Sequence, residues 1–76
     1  MREVRIELDT IEKVKDFVNR VSAFSGDFDI LSGRYVIDAK SVLGIFSVDL
    51  SQPLTLRIAN EEEWEQIQKT IQKFML

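Results

Sequence analysis

The sequence predicts an α+β fold in which a four-stranded antiparallel sheet carries helices on one of its faces. In four segments, apolar residues recur at every second position, which is typical of strands with one buried face. Two longer segments repeat their apolar residues at helical spacing. The resulting order is strand, helix, strand, strand, short helix, strand, helix. A sheet with a layer of helices packed on it buries the apolar side of every element.

The first strand and first helix are predicted from residues 3–26. Val4, Ile6 and Leu8 alternate with charged residues, as in a half-buried strand. Asp9 is predicted to be the helix N-cap, and Glu12, three residues later, completes a capping box. The helix is expected to run for about four turns and to end at Ser25-Gly26. Its apolar stripe comprises Ile11, Val14, Phe17, Val18, Val21 and Phe24.

A hairpin follows, because two segments with period-two apolar residues are joined by Ser32-Gly33, and a glycine in such a connection is typical of a tight turn. The apolar residues of the two strands are Phe28 and Ile30, then Tyr35, Ile37 and Ala39.

A short helix is predicted from Val42 to Val48, with Ser41 as its N-cap. Gly44 lies inside this helix, where glycine costs about 1 kcal/mol relative to alanine. Tertiary contacts must therefore hold the short helix in place.

The fourth strand and the last helix complete the order. Pro53 opens a strand, a position where proline removes few ladder bonds. Asn60 is predicted to cap the last helix, and the following carboxylates complement the positive end of its dipole. The alternating residues of the strand are Leu54, Leu56 and Ile58, the acidic residues are Glu61, Glu62, Glu63 and Glu65, and the buried stripe comprises Trp64, Ile67, Ile71, Phe74 and Met75.

Length and composition predict a single domain over residues 1–76. The chain is 45% hydrophobic and 30% charged, which is typical of a soluble globular domain rather than a disordered one. A net charge of −3, with the basic residues dispersed, argues against nucleic-acid binding. No apolar segment is long enough to cross a bilayer, and the N-terminus does not resemble a signal peptide. We therefore expect a cytoplasmic location and no membrane association.

The segment from Asp38 to Val48 resembles the regulatory-serine region of the HPr family of phosphotransferase-system phosphocarrier proteins. Its Lys-Ser pair, the aliphatic residues and Gly44 are similar to the versions found in low-GC Gram-positive bacteria. Phe17-Val18 is similar to a Phe-Val pair in the family's first helix. The resemblance implies an HPr-like open-faced β-sandwich of order β-α-β-β-α-β-α, which agrees with the order predicted from periodicity.

The chain departs from this family at the phosphoryl-accepting site. None of its residues is a histidine, and the resemblance places Thr10 at the position of the family histidine and Glu12 at that of a phosphoryl-binding arginine. A carboxylate repels a phosphoryl group, which needs positive charge and hydrogen-bond donors. A phosphothreonine ester is not a ready phosphoryl donor. The sequence therefore predicts a protein that does not carry phosphoryl groups.

Ser41 has two interpretations. In the Gram-positive relatives, the corresponding serine is phosphorylated by a dedicated kinase, and the product is a signal in carbon regulation. A phosphoserine at a helix N-cap would meet unpaired N–H groups. The alternative is that Ser41 is only a cap, a common role of serine.

The residues after Ser41 give the second candidate site. The resemblance implies that Val42, Leu43 and Phe46 form an exposed apolar patch that binds partner proteins, with Lys40 as a charge at its rim. The alternatives are that Ile45 and Phe46 belong to the core, and that Lys40 only pairs with Asp38.

No catalytic, cofactor or metal site is predicted. The four glutamates after Asn60 are explained by the helix dipole, and the sequence has no phosphate loop, catalytic triad or metal-ligand spacing. The main hypothesis is a non-enzymatic regulatory or docking protein that acts through the helix at residues 41–46, with an HPr-type serine kinase as a further partner. The alternative is a structural or self-associating module in which Ser41 is only a cap.

Overall fold

The computed structural model describes residues 1–76 and confirms the predicted α+β class, with four strands and three α-helices in the expected order. None of the helices is long and apolar enough to span a lipid bilayer. The elements are β1 (Arg2–Ile6), α1 (Ile11–Val21), β2 (Phe28–Ser32), β3 (Tyr35–Asp38), α2 (Val42–Phe46), β4 (Leu54–Ile58) and α3 (Trp64–Ile71), followed by a 3-10 turn (Gln72–Phe74).

The strands form one antiparallel sheet of order β1-β4-β2-β3. The register aligns Val4 with Leu56, Leu56 with Ile30, and Ile30 with Ile37, so these apolar side chains form one row across the sheet. Successive side chains on a strand point to opposite faces. The intervening polar residues therefore lie on the other face, which we call the open face.

The core is the layer between the sheet and the helices. All sixteen buried residues are apolar, and none is polar or charged. Phe17 of α1 meets Phe74 edge to face, with ring centroids 5.5 Å apart, which closes the C-terminal turn onto the helix. The other core residues are Ile6, Leu8, Val14, Val18, Val21, Phe28, Ile30, Ala39, Ile45, Leu54, Leu56, Ile58, Ile67 and Ile71.

The predicted capping box at the start of α1 is wrong. Thr10, not Asp9, is the N-cap: its extended backbone lets Oγ1 accept the Lys13 N–H at 3.1 Å. Asp9 instead forms an ion pair with the Lys13 ammonium at 2.8 Å. Glu12 is exposed and takes no part in the cap. The position of the cap follows from the packing of Leu8. This buried side chain fixes the chain just before the helix, and Thr10 then has the extended backbone and the hydroxyl group that an N-cap needs.

The first helix is also shorter than predicted. It ends at Val21, after about three turns, and the N–H groups of Ala23 and Phe24 then bond to carbonyls three residues back. Phe24 is only half-buried, and Ile11 is 57% exposed at the other end.

The hairpin forms as predicted, with Ser32 opposite Tyr35 across a two-residue turn. The first residue of this turn, Gly33, has a φ of 59°, whereas the second, Arg34, has a negative φ. A positive φ at only the first of the two turn residues is typical of a type II′ turn. Ala39 lies beyond β3 but is buried, and its N–H donates to Phe28 O. Tyr35, expected on the apolar face, is 65% exposed because it lies next to the turn at the end of the sheet.

The last two helices begin and end differently from the prediction. Helix α2 ends at Phe46 rather than Val48. Asn60 does not cap α3: its Oδ1 accepts the Glu62 N–H at 2.9 Å and stabilises a turn. Helix α3 starts only at Trp64, which is half-buried like Met75.

Candidate functional site

Helix α2 is built on a serine N-cap, as predicted. The backbone of Ser41 is extended, with φ −111° and ψ 110°, and its Oγ accepts the Gly44 N–H at 3.0 Å. At the other end, the Ser47 hydroxyl donates to Gly44 O at 2.6 Å. The first bond satisfies an N–H that a helix of five residues leaves without an internal partner. The second adds to the Ser47 N–H bond that Gly44 O already accepts at 3.1 Å. The phosphorylation of Ser41 remains a prediction.

The four apolar side chains of α2 divide into two sets. Leu43 is 83% exposed and Phe46 39% exposed, and the spacing of three residues places them on one side of the helix. Ile45 is fully buried and Val42 packs against the core. The expected patch is therefore reduced in the structure to Leu43 and Phe46, bordered by Val42.

Lys40 has a role that neither sequence interpretation anticipated. Its ammonium donates to Phe24 O at 2.6 Å and to Gly26 O at 3.0 Å, and lies 5.2 Å from the centre of the Phe28 ring. From Lys40, the Asp38 carboxylate accepts only the backbone N–H, at 2.9 Å. The side chain therefore joins the loop after α1 to the segment before α2. It does not pair with Asp38, and two of its N–H donors are used inside the protein.

A groove beside α2 contains an aromatic residue that the sequence analysis did not assign to the site. Tyr35 lies in the wall that the hairpin turn contributes, and residues 47–49 form the opposite wall. Strand alternation placed Tyr35 on the core face, so no sequence signal distinguished it from a core residue. This exposed tyrosine faces the segment that directly follows α2, so the groove adds an aromatic side chain to the surface near the end of the helix.

The start of α1 does not resemble an anion site. Thr10 is exposed, and its hydroxyl oxygen already accepts the Lys13 N–H. The nearest cation is held by Asp9, whose pKa is lowered by the hydrogen bond from Lys13. Glu12 adds an exposed negative charge. No group of three or more metal-ligating side chains occurs anywhere in the chain.

A second ionic cluster connects α1 to the C-terminal turn. The two carboxylate oxygens of Asp16 accept from Arg20 Nε at 2.8 Å and from Lys73 Nζ at 2.9 Å. The same arginine donates to Thr70 O at 3.1 Å. Because both carboxylate oxygens of Asp16 are paired within the chain, the cluster joins α1 to the C-terminal turn and is not a candidate binding site.

Comparison with known proteins supports the fold inferred from these elements. No protein-family model and no curated protein sequence matches the chain. Among solved structures, the crystal structure of HPr-C-His from Thermoanaerobacter tengcongensis matches with a TM-score of 0.78 and 26% identity, over 96% of this chain and 89% of that chain.

The fold and the match define an HPr-like protein, and the resemblance drawn from residues 38–48 is confirmed at the level of the fold. An HPr-like fold is that of a phosphocarrier and not of a catalyst. The chain nevertheless contains no histidine.

Proposed function

We propose that this HPr-like protein is a regulatory docking protein that binds partner proteins through α2 and does not carry phosphoryl groups. The observation that carries the proposal is the exposure of Leu43, at 83%, beside the partly exposed Phe46. Burying a leucine or phenylalanine side chain contributes about 1.5–3 kcal/mol, so each is an effective anchor for a partner.

The missing carrier activity follows from the start of α1. The residue placed at the family's histidine position is Thr10, which caps the helix and would form only a stable ester. Its surroundings include the carboxylates of Asp9 and Glu12, which disfavour a phosphoryl group.

Phosphorylation of Ser41 by an HPr-type kinase is the proposed control. The phosphate would add a charge of about −1.5 to −2 two residues from Leu43. Placed next to an apolar anchor, that charge changes the affinity of a partner without refolding the domain. Because such a kinase uses cytoplasmic ATP, the proposal includes a cytoplasmic location.

Intact-mass spectrometry after incubation with an HPr kinase and ATP tests this control. We expect one added phosphate, which is absent in Ser41→Ala. Leu43→Asp should slow the phosphorylation if the kinase docks on α2, whereas Val36→Asp, a matched change at an exposed apolar residue of β3, should not. No added mass would leave Ser41 as a cap and overturn the proposed control.

The docking itself is tested separately, by placing a photoreactive side chain at position 43 in the native cell. We expect crosslinks to another protein from position 43, and none from the exposed Gln68 of α3. Equal crosslinking from both positions, or none from position 43, would contradict docking through α2.

A further inference from the structure

We propose that the open edge of β3 pairs with β3 of a second copy of this chain, so that two four-stranded sheets join into one. The pairing is antiparallel about a two-fold axis, with Val36 opposite Val36 of the partner subunit. This surface is separate from the docking surface of α2.

The two edges of the sheet differ in how they are covered. Along β1, Ile6 pairs with Met75 and the Leu76 N–H donates to Arg5 O, so the C-terminal segment covers the Arg5–Ile6 end of that edge. No strand lies beside β3, which is the last strand in the order, and α2 packs on its core face at Ile37 rather than pairing with its edge. β3 is therefore the edge strand along which no other segment pairs at any point.

The backbone groups of Val36 point away from the sheet. In an antiparallel pair, alternate residues direct their N–H and C=O groups to the neighbouring strand. Tyr35 closes the two-residue turn with Ser32, and the Ala39 N–H donates to Phe28 O, so the odd-numbered residues face β2. The N–H and C=O of Val36 consequently lie on the free edge, where they can pair with another strand.

The side chain of Val36 is suited to such a contact. It is 61% exposed on the open face, next to the half-buried Leu31 across the β2–β3 pair. A second copy would extend this pair into a row of four apolar side chains, Leu31 and Val36 from each subunit. Strand β3 contains no proline or lysine, which commonly protect exposed edges.

The charges at the two ends of β3 favour pairing with a second copy of this chain, and they favour the register that aligns Val36 with Val36 of the partner subunit. Arg34 and Asp38 flank Val36, and neither forms an ion pair within the chain. Arg34 lies in the turn before β3 and Asp38 is the last residue of β3, so the two charges are at opposite ends of the strand. With Val36 opposite its own copy, Arg34 meets Asp38 of the partner subunit, and the two-fold axis repeats the contact.

The neighbouring registers are disfavoured. A shift of two residues preserves the hydrogen-bonding alternation but places Val36 opposite Asp38 or Arg34 of the partner subunit. The Val36 side chain of each subunit then faces a charge, and the opposite charges no longer align. Because β3 has only four residues, the interface is small, and we expect a weak, concentration-dependent dimer.

Sedimentation equilibrium of the full chain over a concentration series tests the proposal. We expect a monomer–dimer equilibrium that Arg34→Asp or Asp38→Arg each weakens about tenfold, because each change replaces two attractive pairs by repulsive ones. A mixture of the two variants should dimerise again, since Arg34→Asp in one subunit then faces Asp38→Arg in the other. Thermal melts establish that each variant is folded.

Crosslinking tests the register directly. The chain has no cysteine, so Val36→Cys introduces a single thiol close to its own copy. Under mild oxidation, we expect this variant to form a disulfide dimer much faster than Leu43→Cys, whose side chain is more exposed. Equal rates would overturn the proposed contact.

The outcomes separate this proposal from docking through α2. A monomer at high micromolar concentration, a dimer unaffected by Arg34→Asp, or a dimer abolished by Leu43→Asp would each overturn pairing through β3. None of these results changes the phosphorylation or crosslinking expected at α2.

Discussion

Gly44 lies so close to Ile37 that a Cβ at position 44 would be only 2.8 Å from Ile37 Cγ2. The absence of a side chain at Gly44 is what allows α2 to pack directly on β3. This contact explains why a helix of five residues contains a residue with poor helix propensity. Since α2 carries the exposed Leu43 and Phe46, the same contact fixes the position of the candidate docking surface.

Replacing Gly44 with alanine should destabilise the protein, although alanine favours helix. Ile37 is β-branched and held in a strand, so it cannot move away cheaply, and we expect a net loss of about 1–3 kcal/mol. Urea denaturation measures the change. Leu43→Ala, at an exposed position of the same helix, should alter stability by less than about 0.5 kcal/mol.

A double-mutant cycle checks the cause of that loss. Ile37→Ala removes the clashing methyl group, so Gly44→Ala should cost less in the Ile37→Ala protein than in the wild type. Equal costs in the two backgrounds would show that the two residues are not coupled.

Lys40 should matter more for stability than its partial exposure indicates. Lys40→Met keeps the aliphatic stem but removes the donors to Phe24 O and Gly26 O, and we expect a loss of about 1–3 kcal/mol of unfolding free energy. Lys15→Met serves as the control, because Lys15 is exposed. Hydrogen exchange should also quicken in residues 24–28. If the two variants were equally stable, the bonds seen for Lys40 would contribute nothing.

The cap of α1 can be assigned by mutation. Thr10→Ala should cost about 1 kcal/mol because the Lys13 N–H loses its acceptor, whereas Glu12→Gln should be nearly neutral. Thermal melts of the two variants are sufficient. The reverse order would restore the capping box of Asp9 and Glu12 and contradict the structure.

Asp16 should give the protein part of its sensitivity to acid. Hydrogen bonds from Lys73 and Arg20 hold the pKa of Asp16 below its ordinary value. A group whose pKa is lowered on folding contributes stability above its unfolded pKa and loses it as the pH falls through the folded value. The stability that the ionised Asp16 adds to the folded protein is therefore complete at neutral pH, and it disappears on acidification below about pH 4.

Melting temperatures measured between about pH 7 and pH 2 test this expectation. Asp16→Asn should lower the melting temperature at neutral pH, and its melting temperature should fall less steeply than that of the wild type as the pH is lowered. Added salt should reduce the difference in melting temperature between the two proteins at neutral pH. Glu12→Gln, which removes a carboxylate outside any ion pair, is the matched control. An identical fall in melting temperature with pH in the wild type and Asp16→Asn would contradict the assignment.

Local sequence patterns were sufficient for the order of elements and for much of the core. The alternation of Val4, Ile6 and Leu8 and the spacing of Val14, Phe17 and Val21 depend only on residues close in the chain, and a strand or helix converts that spacing directly into one buried face. The cap at Ser41 followed for the same reason, because its partner Gly44 is three residues away.

Tertiary structure alone decided the contacts between residues distant in the sequence. Lys40 bonds to carbonyls at positions 24 and 26, and the approach of Gly44 to Ile37 depends on how α2 docks on the sheet. Tyr35 shared the apolar period of its strand but lies beside the turn, where the core does not cover it. Periodicity specifies which side of an element is apolar, whereas the packing of the elements determines which of those side chains are buried and which remain available to a partner.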